Sequence, residues 1–233
     1  MHAAQLIRYT GSSRTSEDAK VYDLTRVENA LNVISRIPWR VNRRIYELMS
    51  FIWDHNMEIA GVPPKFDINI EGMVKPADEL EAMSEDQRKQ HTLEVLNAQK
   101  TNQRLASERP TFLLRLKVAR DYLNAEQVYF PHNVDFRGRS YPIPPHLNHQ
   151  GPDICRGLLE FADAKPLGQR GFYWLKISLA NLFGKDKLTL EKREKWTDEN
   201  AEMIRRVARN PLENEEVIDF WSTADDGPWQ FLA

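Results

Sequence analysis

The sequence predicts a mainly α fold with some β (α+β), in which a long helical hairpin precedes a mixed segment. Three observations predict it. Apolar residues recur at helical spacing over two long stretches before residue 124. An aromatic and β-branched run from Gln127 to Tyr141, followed by Pro142, Pro144 and Pro145, reads as extended chain ending in a loop. A second set of helical patterns then occupies residues 168 to 209. A chain of 233 residues suits one large domain or two small ones.

The elements are justified in order. Residues 1 to 23 begin without the basic, apolar, small-residue order of a secretory leader, and 10 to 20 read as a polar loop. Val27, Leu31, Ile34, Val41, Ile45, Leu48 and Ile52 form one seam with Pro38 in its remaining slot. This predicts an amphipathic helix or helix pair over about 24–59, which Pro38 either kinks or restarts. Gly61 and Pro63-Pro64 should stop it, and 62–77 should be loop. A second helix is expected over about 84–123, kinked or broken at Pro110, with Leu93, Leu96, Leu105, Phe112, Leu116 and Leu123 on its apolar side. The two helices would pair antiparallel. Gly168 and Gly171 introduce an apolar helix through Phe183, ended by Gly184. One further amphipathic helix is expected over 189–209.

The formal net charge is −2, from 32 basic and 34 acidic residues, and gives no sign of a nucleic-acid binder. The distribution differs from the total. Arg36, Arg40, Arg43 and Arg44 share a stretch with no acid, and residues 97–120 hold six bases against Glu108 alone. Residues 67–94 and 210–233 are acidic. Segregated basic blocks suit a polyanion, and they equally suit solvated helix faces. No run of about 18 apolar residues offers a membrane span. The single Cys155 excludes an internal disulfide.

The stretch that carries chemistry is Asp135-Phe136-Arg137-Gly138-Arg139-Ser140-Tyr141. In extended chain, Asp135, Arg137, Arg139 and Tyr141 would share a face. Two guanidiniums about 7 Å apart would match successive phosphates of a strand. Gly138 would let a polymer approach the backbone, Asp135 would orient a guanidinium, and Tyr141 would pack on a sugar or base. A structural Arg–Asp pair at a strand end explains the same spacing.

The residues Tyr129-Phe130-Pro131-His132-Asn133-Val134-Asp135-Phe136-Arg137-Gly138-Arg139-Ser140-Tyr141-Pro142 resemble the signature of the single-subunit, phage-type DNA-directed RNA polymerases. Pro145-His146-Leu147-Asn148-His149 and Arg156-Gly157-Leu158-Leu159-Glu160-Phe161-Ala162 resemble the mitochondrial branch. The likeness continues through Lys165-Pro166-Leu167-Gly168, Trp174-Leu175-Lys176-Ile177, Asp186-Lys187 and Pro228-Trp229-Gln230-Phe231-Leu232-Ala233. Upstream, Pro38-Trp39-Arg40-Val41-Asn42-Arg43-Arg44 resembles the start of that family's thumb.

The resemblance covers about 24–233 and implies a helical thumb over 24–123 and the beginning of the palm over 124–233; residues 1–23 are expected to be a flexible or partial N-terminal segment. It implies that Arg137, Gly138, Arg139, Tyr141 and Arg156 face nucleic acid and that Lys187 lies near the nucleotide triphosphate; the acid-free block of Arg40, Arg43 and Arg44 is expected to add a basic contact. Its partners would be template DNA, an RNA–DNA hybrid, nucleoside triphosphates and transcription accessory factors, in the mitochondrion. Its chemistry would use magnesium held by two palm aspartates. Neither aspartate matches a residue here, so no catalytic residue and no metal ligand is assigned. The apolar stretch at Trp229–Ala233 is expected to be the cut edge of a longer protein.

Other constellations are weaker. His132, His146, His149 and Cys155 lack a standard zinc spacing, and a Cys155 nucleophile lacks an orienting partner. Asp225-Asp226-Gly227 reads as a solvent loop. His2, His55 and His91 read as surface residues, and the tryptophans as core, with Trp39 the candidate for base stacking. The residues 172–183 should present an uncovered apolar face. Two other classes fit: a stand-alone helical nucleic-acid-binding module, and a scaffold that binds protein through its long hairpin.

Overall fold

The computed structural model describes residues 23–135, 137–225 and 227–233. The expectations for residues 1–22, His2 included, lie outside the described residues. The fold is mainly α with two small antiparallel sheets.

The seam predicted over 24–59 is divided. Helix α1 spans Thr25–Ser35, strand β1 spans Trp39–Val41, and helix α2 spans Arg43–Asp54. The chain neither kinks nor restarts directly at Pro38: the helix has ended at Ser35, and a strand follows the proline before α2 begins. The Asn42 side chain accepts from the Ile45 amide and starts α2. Ile45, Met49 and Ile52 then lie on one face and are fully buried. The helix stops at Asp54, seven residues before Gly61.

Residues 62–77 are mostly loop with a single 3-10 turn at Glu71–Met73, and the short helix α3 covers Ala77–Ala82. Helix α4 runs from Glu85 to Asp121 without a break. Its start is a reciprocal cap: the Ser84 hydroxyl accepts from the Gln87 amide, and the Gln87 side chain accepts from the Ser84 amide. Pro110 sits inside and removes one intrahelical bond. Packing of Phe112, Leu116 and Ala119 on the core carries the helix past it.

The antiparallel pairing with α2 is visible in two contacts. Arg43, at the start of α2, donates to Asn124 just beyond the end of α4, and Trp53, near the end of α2, packs on Phe112. Only the second half of α4 is covered this way. Along the first half lies the 62–75 loop, where Ile68 and Asn102 exchange hydrogen bonds and His91 meets the Met73 carbonyl. Leu93 (54% exposed) and Leu96 are therefore not on the buried side expected for them. Arg109 holds the same loop through the Pro64 and Phe66 carbonyls and the Asp67 carboxylate, each at 2.6 Å.

Strands β2 (His132–Val134) and β3 (Ser140–Pro142) form a hairpin. Helix α5 covers Asp153–Gly157, and strand β4 covers Leu159–Phe161. β4 pairs antiparallel with β1, placing Arg40 opposite Glu160. Helix α6 spans Gly168–Ala180 and widens into a π-helical turn at Asn181–Lys185. Residues 189–209 form two helices rather than one, α7 (Leu190–Glu199) and α8 (Ala201–Arg209), divided at Asn200. Helices α9 (Glu215–Ser222) and α10 (Pro228–Leu232) complete the described fold.

One core draws on both sides of residue 124: Ile45, Met49, Phe112 and Leu116 pack in the same cluster as Leu158, Val207, Val217, Trp221 and Trp229. Trp221 and Trp229 meet edge to face at 5.4 Å. Their indole nitrogens donate to the Pro211 and Ala60 carbonyls, so neither buries an unpaired donor. The Asp153 carboxylate accepts from the Trp229 and Gln230 amides and caps α10 from a distant part of the chain. Trp174, by contrast, is 48% exposed and is not core. It shares α6 with exposed Phe172 and Leu175, so the uncovered apolar face expected there is present. No described helix is long and apolar enough to cross a membrane.

Gly157 is required by close approach. A Cβ there would lie 2.7 Å from the Trp229 Cβ and 2.9 Å from its carbonyl oxygen. Gly157→Ala should therefore destabilise the protein by about 1–3 kcal/mol through overpacking. Thermal denaturation of the variant beside the parent measures this.

Candidate nucleic-acid interface

The Asp135–Arg139 segment is a tight turn, not an extended strand, which corrects the alternating-face expectation. The β2–β3 ladder ends at Val134 and Ser140, so the residues between must reverse direction. The Asp135 amide donates to the Arg139 carbonyl, and the Gly138 amide donates to the Asp135 carbonyl. Gly138 has φ +80°, a conformation that other residues rarely adopt. A Cβ at that position would meet nothing within 4 Å, so backbone conformation rather than crowding within this chain demands glycine.

Asp135 organises the turn through the backbone. Its Oδ1 accepts from the amides of Arg137 and Arg139, each at 2.9 Å. The Tyr141 hydroxyl lies 3.5 Å from the other oxygen. The Arg139 amide is the largest influence holding the Asp135 carboxyl below its ordinary value; the Arg137 amide and both guanidiniums act in the same sense, against partial desolvation. A carboxylate spent on amides fixes the loop, and Arg137, Gly138 and Arg139 are exposed at its tip.

The remaining predicted residues do not gather at this turn through any observed contact. Arg40 pairs with Glu160 at 2.6 Å across the β1–β4 ladder. Arg43 bonds Asn124 and lies 3.7 Å from Glu47. Arg44 donates to the Ala208 carbonyl and ties α2 to α8. These three are exposed yet engaged within the chain. Arg156 is exposed on α5, and Lys187 is exposed just after the π-helical turn.

Arg193 was not selected from the sequence. Its guanidinium reaches the Asp186 and Leu188 carbonyls and the Asn181 side chain, holding the turn that presents Lys187. Its place two residues before a helical Lys-Trp pair gave no signal, because the contact depends on how the 181–188 turn folds back on the start of α7.

Trp39 is enclosed by rings of its own chain. It stacks on His149 at 4.9 Å and 9° and packs on Phe161 at 4.4 Å, so it serves the fold rather than offering itself to a base. His149 in turn meets His132, with 3.4 Å between their Nε2 atoms. His146 contributes its carbonyl to the Cys155 thiol and leaves its exposed ring apart. Among the described residues no three His, Cys, Asp or Glu side chains gather as a metal-binding group. Burial pushes the Cys155 thiol up, against the direction an activated nucleophile requires. Asp225 packs beside Gly184, and Asp226 lies outside the described residues.

These features define a mainly helical unit that presents a backbone-stiffened Arg-Gly-Arg turn. Residues 165–233 match the DNA-dependent RNA polymerase family model. The chain is 38% identical to the mitochondrial DNA-directed RNA polymerase of Neurospora crassa over 91% of its own length and 14% of the relative's. It is 41% identical to the chloroplastic/mitochondrial DNA-directed RNA polymerase 2 of Arabidopsis thaliana, over 90% of this chain and 20% of that one. It is 38% identical to the chloroplastic polymerase 3B of Nicotiana tabacum, over 98% and 23%. The resemblance to the single-subunit, phage-type RNA polymerases therefore holds over most of this chain. The chain spans less than a quarter of the length of these relatives.

Burial is the main influence lowering the affinity of His132 and His149 for protons, and for His149 a charge on His132 adds to it. In the unfolded chain both return to about 6.5. As pH falls through that value the unfolded state takes up protons that the folded pair refuses. Their contribution to stability is thus present above the unfolded value and lost as pH falls toward the lowered folded values. Denaturant midpoints should drop between about pH 7.5 and 5.5, and drop less in His149→Phe.

Proposed function

We propose that this chain is part of a single-subunit DNA-directed RNA polymerase of an organelle, with a thumb over 24–123 and the start of the palm over 124–233. In this reading it grips template DNA and the RNA–DNA hybrid during transcription. Arg137, Gly138, Arg139 and Tyr141 meet the sugar–phosphate backbone, Arg156 and the exposed parts of Arg40, Arg43 and Arg44 add positive charge, and Lys187 approaches a nucleoside triphosphate. The observation that carries this reading is the exposed turn whose Asp135 carboxylate is spent on backbone amides. Two cationic side chains on a stiff loop suit a polyanion, because little conformational entropy is lost when it docks. The relatives' polymerase names support the same reading.

Magnesium belongs to the proposed whole enzyme. It would assist attack on the nucleotide's phosphorus. In this reading the two palm aspartates that would hold it match no residue of this sequence, and the chain's own part is binding and orientation. The compartment rests on the relatives, some of which carry mitochondrial and some chloroplastic names.

Arg139→Ala in the full-length protein should weaken RNA–DNA hybrid binding. It should also lower the slope of log affinity against log salt by about 0.7–0.9, one phosphate's worth. Unchanged affinity with an unchanged slope rejects the assignment. The 233-residue chain by itself is expected to incorporate no nucleotide; chelator-sensitive incorporation by it would place catalytic groups within these residues.

A further inference from the structure

The β2–β3 hairpin is only three residue pairs long. A ladder of that size does not hold its own shape in water and must borrow rigidity from what it packs on. Its turn therefore has a fixed direction only if its base is anchored. The anchor lies at His132, the first residue of β2 and buried.

Ser35, the last residue of α1, supplies that anchor across 97 positions of sequence. Its Oγ accepts from the His132 backbone amide at 3.1 Å and lies 3.2 Å from the His132 Nδ1. The hydroxyl thus holds both the backbone and the ring of one strand residue. On the far side of the ring, His132 Nε2 faces His149 Nε2 at 3.4 Å, and His149 is held flat against Trp39.

The hydrogen-bond pattern also favours one arrangement of protons. His149 Nδ1 is buried with no partner among the described residues. A bare lone pair is better tolerated there than an orphaned N–H. His149 then carries its proton on Nε2 and donates to His132 Nε2. That leaves His132 with its proton on Nδ1, 3.2 Å from Ser35 Oγ, with the Phe130 carbonyl a further acceptor near the ring. Serine at this site accepts two donors with its two lone pairs, which alanine does not reproduce and threonine does.

We infer that Ser35, acting through His132, is a positioning residue for the Arg137–Arg139 turn. Ser35 touches no nucleic acid in this scheme. It sets the direction of the hairpin that presents the two arginines, and the inference rests on the reading of that turn as a nucleic-acid contact.

The test compares the full-length wild-type protein with Ser35→Ala, Ser35→Thr and Arg139→Ala in hybrid-binding titrations across a range of salt. Loss of a hydrogen-bond anchor should weaken Ser35→Ala by about five-fold. Its salt slope should stay at the wild-type value, because no phosphate contact is deleted, whereas Arg139→Ala lowers the slope. Ser35→Thr should restore affinity to within about two-fold of wild type. Wild-type affinity in Ser35→Ala beside a weakened Arg139→Ala overturns this inference and leaves the reading of the turn intact. An unaltered Arg139→Ala overturns that reading itself. If Ser35→Ala does not fold, Ser35→Val decides beside Ser35→Thr: it keeps the threonine shape and deletes the oxygen acceptor. Weaker binding by Ser35→Val than by Ser35→Thr at an unchanged slope supports the inference, and equal binding by the two overturns it.

Discussion

The arrangement depends on the short ladder between Trp39–Val41 and Leu159–Phe161. It joins segments about 120 residues apart, and it does so with few hydrogen bonds, reinforced by the facing Arg40–Glu160 pair. What stabilises the junction is what lies behind it. Val41 and Leu159 are buried in the common core, with Ile45 and Leu158 beside them in sequence. Because β1 is held there, Trp39 is held, and its indole provides the surface on which His149 and Phe161 rest.

From that fixed indole a series of contacts leads to the exposed turn. His149 meets His132, His132 meets Ser35, and β2 continues to Asp135, whose carboxylate gathers the amides of Arg137 and Arg139. Apolar packing at one end thus becomes hydrogen-bonded geometry at the other. The exposed end carries cations, and the buried end carries imidazoles whose charging is opposed by desolvation. Along this series the division follows the cost of burying charge: the arginines of the turn are exposed, and the imidazole pair behind them resists charging.

The core has a complementary consequence at the surface. The tryptophans of α9 and α10 are sealed between helices, yet α6 leaves Phe172, Trp174 and Leu175 largely in water. The long α4 shows the same asymmetry, with its second half against α2 and its first half carrying only a loop and exposing Leu93 and Leu96.

The sequence by itself determined the elements whose signals are local. It located the helix around Ile45–Ile52, the long helix from residue 84 and the apolar helix after Gly168, because side-chain periodicity, caps and glycines act over a few residues. Tertiary structure decided what depends on distant partners. It made residues 39–41 a strand by offering them Leu159–Phe161, carried α4 past Pro110 by packing, and divided 189–209 at Asn200. It turned an apparent alternating strand into a hairpin tip, because β2 and β3 found each other on both sides of Gly138. The contacts of Ser35 and Trp39 were illegible for the same reason: each acts on residues brought near only by folding, and no spacing along a single chain encodes a contact 97 positions away.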